Sequence, residues 1–337
     1  MLIERSWQVC ISDPQQGEER ARLALELSEH LDTSRYKLDL IEDLRARAWS
    51  YIGNARRLRA DLQGAEETFE TAYQHLKRGT REPLERAMFL DLKASLRRAQ
   101  RRFDDAFRLL QRTISVFLEQ GDQHRAGRSL VNLSAAYTHA GRPEECIPIL
   151  YQAIGLIDPE QEPRLLIGAW HNLILTLAEL GRYMEAQGLY RKAHRLYTEF
   201  PDSRLQVRRK WVKAKIARGL GQHDTAESLF LEARGGFIAE GIPYEAAIVS
   251  LELATLYAEQ GRTAELKRLA EEIVPFFASR HIHREAIAAL VFLKQAVEAE
   301  QVSLEIVSEV AAFLKRAQDD PGLRFERTLA ATPPSES

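Results

Sequence analysis

Two asparagines set forty residues apart, Asn132 in SLVNL and Asn172 in AWHNL, have the chemistry to read a peptide backbone. A side-chain amide both donates and accepts, so a row of amides can bond an extended chain without demanding a particular sequence. The same recurrence also fits a plain hydrogen bond from one helix to the next. Around them lie two basic runs. One holds Arg97, Arg98, Arg101, Arg102, Arg108 and Arg112, the other Arg208, Arg209, Lys210, Lys213 and Lys215. Guanidinium forks take carboxylates and phosphates through two parallel bonds. A solvated face with internal ion pairs is the competing reading.

Catalytic patterns are missing. The chain has no G-x-x-x-x-G-K-[ST], no G-x-G-x-x-G after a strand, no H-E-x-x-H and no G-x-S-x-G. Cys146 occupies a position that wants a small side chain, which fits a buried thiol better than a nucleophile. Cys10 supports no further reading. His281 and His283 form an H-x-H, but no cysteine or carboxylate cluster completes a metal set. No catalytic residue, cofactor or metal is expected.

Composition bounds the rest. Of 337 residues, 45% are apolar and 28% charged, enough to build a core. Lys and Arg total 47 against 49 Asp and Glu, which excludes a histone-like or acidic-tail protein but not a local basic face. Two cysteines cannot form a disulfide framework, so a reducing, cytoplasmic setting is expected. No apolar run approaches the ~18 residues of a membrane span. The opening MLIERSWQVC is too short and charged for a signal peptide. Length alone suggests two or three domains.

Periodicity overrides that suggestion. Gly141, Gly181, Gly221 and Gly261 recur every 40 residues, in HAGRPEEC, ELGRYMEA, GLGQHDTA and EQGRTAEL. The register extends back to Arg101 and Ala60 and forward to Gln301. On either side of each mark the apolar residues step by three and four: Trp170, Leu173, Leu177 and Leu180, then Ala186, Tyr190, Ala193 and Leu196. Short connections make the two helices antiparallel neighbours, and glycine supplies the left-handed residue that stops the first. One hairpin cannot bury its several apolar faces alone. Stacked hairpins can. Gly235 and Gly236 mark either an early helix stop or a close approach.

The internal spacing resembles the tetratricopeptide repeat (TPR) family in a bacterial-type 40-residue form. Trp49, Ile52, Gly53, Ala65, Phe69 and Ala72 keep the offsets of its W-x2-L-G … A-x3-F-x2-A pattern. Trp170, Leu173, Gly181, Ala186, Tyr190 and Ala193 repeat it, as do Ala214, Gly221, Ala226, Phe230 and Ala233. The fifth unit departs, with Lys210 where Trp is usual and Trp211 one place later. The sixth has Leu266 and Ala270 in inverted size order. The resemblance implies an all-α fold, a right-handed α-solenoid of about seven TPR-like hairpins plus a degenerate N-terminal hairpin. Its expected divisions are a degenerate hairpin over 1–36, six repeats over 37–280, a degenerate capping repeat over 281–320 and a disordered tail over 321–337. In the first segment, helices are expected near Leu2–Ile11 and Glu18–Leu31, with Pro14 and Gly17 as punctuation.

In such a fold the first helix of each hairpin lines a concave groove. The resemblance therefore implies a partner-binding set of Asn54, Arg57, Arg98, Arg128, Asn132, His139, His171, Asn172, Trp211, Lys215 and Arg218. Asn132 and Asn172 resemble the asparagine ladder of peptide-binding TPRs. The leading expectation is a non-enzymatic scaffold taking a peptide or protein segment with acidic groups. The alternative is the sensor or effector-coupling part of a bacterial transcriptional or signalling regulator, with this chain a fragment of a longer protein. Nucleic-acid binding through the basic runs ranks third, because total charge is near neutral and only Trp211 interleaves them. No membrane partner is expected, and the sequence leaves the oligomeric state open.

Overall fold

A left-handed backbone residue ends one helix after another in this chain. Gly141, Gly181, Gly221 and Gly261 adopt φ of 75°, 74°, 74° and 67°. The register is kept even without glycine: Ala60 and Arg101 take φ of 63° and 58°, at a cost of about 1 kcal/mol each. The computed structural model describes residues 6, 9–10, 13–200, 202–278, 284–298, 303–317 and 323–325. Every regular element among them is helical. The chain divides into two compact units, Met1–Leu180 and Gly181–Ser337.

The first unit holds α1 (Pro14–Glu29), α2 (Leu38–Leu58), α3 (Leu62–Arg78), α4 (Pro83–Ala99), α5 (Phe103–Glu119), α6 (Gln123–His139), α7 (Cys146–Leu156) and α8 (Pro163–Glu179). α2 packs on α3, α4 on α5 and α6 on α7, and each second helix also meets the next hairpin. The helices start on local signals. The Asp61 and Asp122 carboxylates cap α3 and α6 by accepting from Gly64 N and Arg125 N, and each such cap stabilises by about 1 kcal/mol. Pro83 and Pro163 occupy the first turns of α4 and α8, where no amide hydrogen is needed. At the α2–α3 crossing a Cβ on Gly53 would lie 2.9 Å from the Phe69 ring, so the glycine permits the approach. Phe69 is fully buried there, a contribution of about 1.5–3 kcal/mol.

The second unit holds α9 (Tyr183–Lys192), α10 (His194–Glu199), α11 (Ser203–Gly219), α12 (His223–Ala239), α13 (Pro243–Glu259), α14 (Thr263–Ala278), α15 (Arg284–Glu298) and α16 (Leu304–Ala317). α11 pairs with α12, α13 with α14 and α15 with α16. Ala226, Phe230 and Ala233 are fully buried in its core, together with Leu253, Leu256 and Val310. Leu266 and Ala270 are buried too, so the inverted size order is absorbed without loss of core.

Several expectations are corrected. α1 begins at Pro14 rather than near Glu18, and Gly17 lies inside it, where a Cβ would meet Cys10 Cα at 2.8 Å. Pro14 opens α1 after the Asp13 cap, while Gly17 does not punctuate it. Gly235 and Gly236 do not stop α12. Gly236 is a close approach, 2.5 Å from Val207 Cγ2 for an added Cβ, while Gly235 faces open space. The second helix of the fourth hairpin is broken at Ala193 into α9 and α10. In the last hairpin α16 packs on α13. His281, His283, Gln301 and the tail from 326 lie outside the described residues.

Candidate binding face

In the first unit α2 presents Asn54 and Arg57, one turn apart. Asn54 is only 3% exposed. Its carbonyl oxygen accepts from Arg57 Nε at 3.1 Å and Nη2 at 2.8 Å, and its amide approaches Cys10 Sγ at 3.8 Å. Burial pushes the Arg57 guanidinium down to about 10, the positive charge of Arg98 on α4 adds to that, and Cys10 opposes it. No carboxylate pairs with Arg57 among the described residues.

The next first helices bring Asp91 of α4 against α6. The Asp91 carboxylate accepts from Ser129 Oγ at 2.8 Å and from Asn132 Nδ2 at 3.3 and 3.1 Å. Burial raises its pKa above the ordinary carboxylate range, against the opposing pull of Ser129, Asn132 and Arg128. The Asn132 amide therefore makes the helix-to-helix bond, while its carbonyl oxygen takes no part in it. Arg128 pairs with Glu162. His139 is half-buried and His171 buried. Asn172 is half-buried on α8, and no described residue hydrogen-bonds its amide.

The second unit treats its predicted site residues differently. Trp211 sits in the core at 8% exposure, edge-to-face with Phe237 at 5.9 Å, instead of lining a groove. Its indole N–H is buried and has no hydrogen-bond partner among the described residues. The one-place shift from the usual Trp position in the sequence marks this different packing. Lys215 Nζ lies 2.5 Å from Glu252, and Arg218 pairs with Glu252 at 3.0 Å and Glu259 at 2.6 Å. Burial pushes the Glu252 carboxyl up, but Lys215, Lys315 and Arg218 together outweigh it and hold it below the usual carboxylate range.

Sequence reasoning missed these acids. Arg47 pairs with Glu85, Arg128 with Glu162, Arg208 with Glu245 and Lys215 with Glu252. Each acid sits one hairpin further along, at offsets of 34 to 38 residues. A search for acids at that separation from each first-helix cation would have found them.

No described group of three or more His, Cys, Asp and Glu side chains could hold a metal ion. Cys146 is buried, its thiol donates to Ser134 O at 3.1 Å, and burial pushes its pKa up. It is held as a thiol. No described helix is long and apolar enough to cross a membrane.

Fold and repeat pattern are similar to those of tetratricopeptide-repeat proteins. Residues 165–239 match the family profile described as Tetratricopeptide repeat. No curated protein sequence matches the chain. Among solved structures it is similar to a Rap protein complexed with Competence and Sporulation Factor, at 12% identity and a TM-score of 0.68, over 94% of this chain and 86% of the other. It is also similar to NprR in complex with its cognate peptide NprX, at 19% identity and 0.60, over 93% and 86%. A third is aspartyl phosphate phosphatase F from Bacillus subtilis, at 14% and 0.52, over 86% and 82%. At these identities the likeness is one of fold.

Proposed function

We propose that this chain is a non-enzymatic interaction scaffold. The first helices of its N-terminal unit hold an extended peptide or protein segment. The observation that carries the reading is Asn172, a half-buried amide with no described partner, in the same repeat register as Asn132. A partner backbone supplies the donor and acceptor that such an amide lacks. Arg57 and Arg98 favour acidic groups on that segment, since two neighbouring guanidinium groups weaken each other until an anion joins them. The two fold neighbours recorded with a bound factor or peptide support a peptide occupant. The phosphatase among the neighbours shares the fold at 14% identity and brings no activity with it.

Coverage of 93–94% of this chain by those two structures favours a second reading, the sensing part of a peptide-responsive regulator. Nucleic-acid binding is disfavoured by the pairing within the basic runs. Arg97 pairs with Glu66, Arg102 and Arg108 with Asp105, and Lys210 with Glu232.

The test is a screen of short synthetic peptides, acidic and neutral, by fluorescence anisotropy. Acidic peptides should bind, and Asn172→Ala should weaken them with an unchanged melting temperature. Equal binding of neutral and acidic sequences removes the role of Arg57 and Arg98. Unchanged binding in Asn172→Ala removes the amide face.

A further inference from the structure

α11 carries seven cations and no acid: Arg204, Arg208, Arg209, Lys210, Lys213, Lys215 and Arg218. Five of them meet carboxylates on α12, α13 or the turn between them. Arg204 reaches Glu240, Arg208 reaches Glu245, Lys210 reaches Glu232, and Lys215 and Arg218 share Glu252. The other two, Arg209 and Lys213, are one helical turn apart and share a face of the helix. Neither meets an acid among the described residues.

Arg209 is nevertheless held in place. Its Nε donates to the Tyr190 hydroxyl at 3.0 Å, Nη1 to Gln206 Oε1 at 3.1 Å and Nη2 to His194 Nδ1 at 3.1 Å. All three partners are neutral acceptors. Arginine only donates, so His194 Nδ1 accepts and the ring proton sits on Nε2 of an exposed ring. The guanidinium lies over the Tyr190 and Tyr197 rings, with its carbon 6.0 and 5.8 Å from their centroids. The fork is thus oriented by uncharged groups and has spare N–H bonds. The Tyr190 hydroxyl accepts from Arg209 and has its own proton to donate.

We propose that Tyr190, His194, Arg209 and Lys213 form a binding site for a phosphate monoester. It lies where the break at Ala193 brings α10 beside α11, and it is independent of the peptide reading. The uncompensated charge is that of Arg209 and Lys213, which matches one dianion. It does not match a nucleic-acid backbone, whose binding needs a track of cations. Phosphate geometry also uses the donors present: a planar fork, a phenol and an imidazole N–H.

The test is a titration with inorganic phosphate at fixed ionic strength and neutral pH, followed by 31P line broadening and calorimetry. O-phosphoserine, succinate and a short single-stranded oligonucleotide are the comparison ligands. Phosphate and phosphoserine should bind in the millimolar range, and succinate at least about tenfold more weakly. Arg209→Gln should weaken phosphate about tenfold or more, the scale of one charge-assisted contact. Lys213→Gln touches no described partner, so it should weaken phosphate without changing the thermal melt. Arg108→Gln, which alters a cation paired with Asp105, should leave binding unchanged. Equal phosphate binding in wild type and both site variants overturns the proposal. So does succinate binding as tight as phosphate, or oligonucleotide binding with a salt slope of about three phosphates or more.

Discussion

Arg57 of α2 and the neighbours Lys215 and Arg218 of α11 stand on first helices of the same repeat register, yet they are satisfied in opposite ways. On α2, half-buried Arg57 leans on the neutral oxygen of Asn54 beside another guanidinium. On α11, Lys215 and Arg218 are closed off by Glu252 and Glu259. A repeat position therefore fixes where a side chain emerges but not whether its charge is available. Availability depends on the acid one hairpin later, which the second unit supplies and the first lacks at Arg57.

The largest expected effect comes from breaking the closed network. Glu252→Gln leaves Lys215, 9% exposed at its side chain, without its counter-charge. A loss of about 3 kcal/mol or more is expected in urea unfolding. Arg57→Gln should cost less than about 1 kcal/mol, because it also removes one of two neighbouring half-buried cations. A large loss for Arg57→Gln and a small one for Glu252→Gln would reverse the comparison.

The helix crossings give a smaller contrast. Gly53 and Ala214 occupy the same repeat position, facing Phe69 and Phe230. Gly53→Ala places a Cβ 2.9 Å from the Phe69 ring and should destabilise by about 1–3 kcal/mol, although alanine favours helix. Ala214→Gly should cost about 1 kcal/mol or more through helix propensity and lost packing. Thermal melts of the two variants check the pair.

Two carboxyls, Asp91 and Glu252, should respond to pH with opposite signs. Asp91 is raised in the folded state, so the fold binds its proton more tightly than the unfolded chain does. Its contribution falls as pH climbs above about 3.9 and through the raised value. Asp91→Asn should remove that decline. Glu252 is lowered, so its contribution is present above about 4.3 and is lost as pH falls through the folded value. Glu252→Gln should flatten the acid limb. Unfolding free energy measured across acid pH separates the two slopes.

The smallest effect belongs to the exposed pairs that join a residue just before a helical turn to an acid in that turn. Glu145→Gln breaks the Arg142 pair at 2.5 Å and Glu185→Gln the Arg182 pair at 2.6 Å. Each should shift stability by less than about 1 kcal/mol and fade with salt.

Much of this architecture was legible because it is written in backbone requirements. The glycines at 141, 181, 221 and 261 announce helix ends, and Ala65, Phe69, Ala226 and Phe230 announce the crossings. The break at Ala193 was hidden, since Ala186, Tyr190, Ala193 and Leu196 keep helical spacing through it. The packing of α16 on α13 was hidden too, because periodicity gives a helix its faces but not its neighbour. At the binding face, spacing singled out Asn132 and Asn172. It could not tell that Asp91 already holds the first amide while the second stands open. That depends on which side chain stands opposite, one hairpin away.

The most direct measurement is peptide affinity and thermal stability in two variants side by side, Asn172→Ala and the double change Lys215→Ala with Arg218→Ala. For an acidic peptide selected against the wild type, Asn172→Ala should weaken binding about tenfold, the worth of ~1.4 kcal/mol, with its melting temperature unchanged. The double variant should melt lower and bind the peptide as the wild type does. Full affinity in Asn172→Ala together with lost affinity in the double variant would contradict the account and move the site to the second unit.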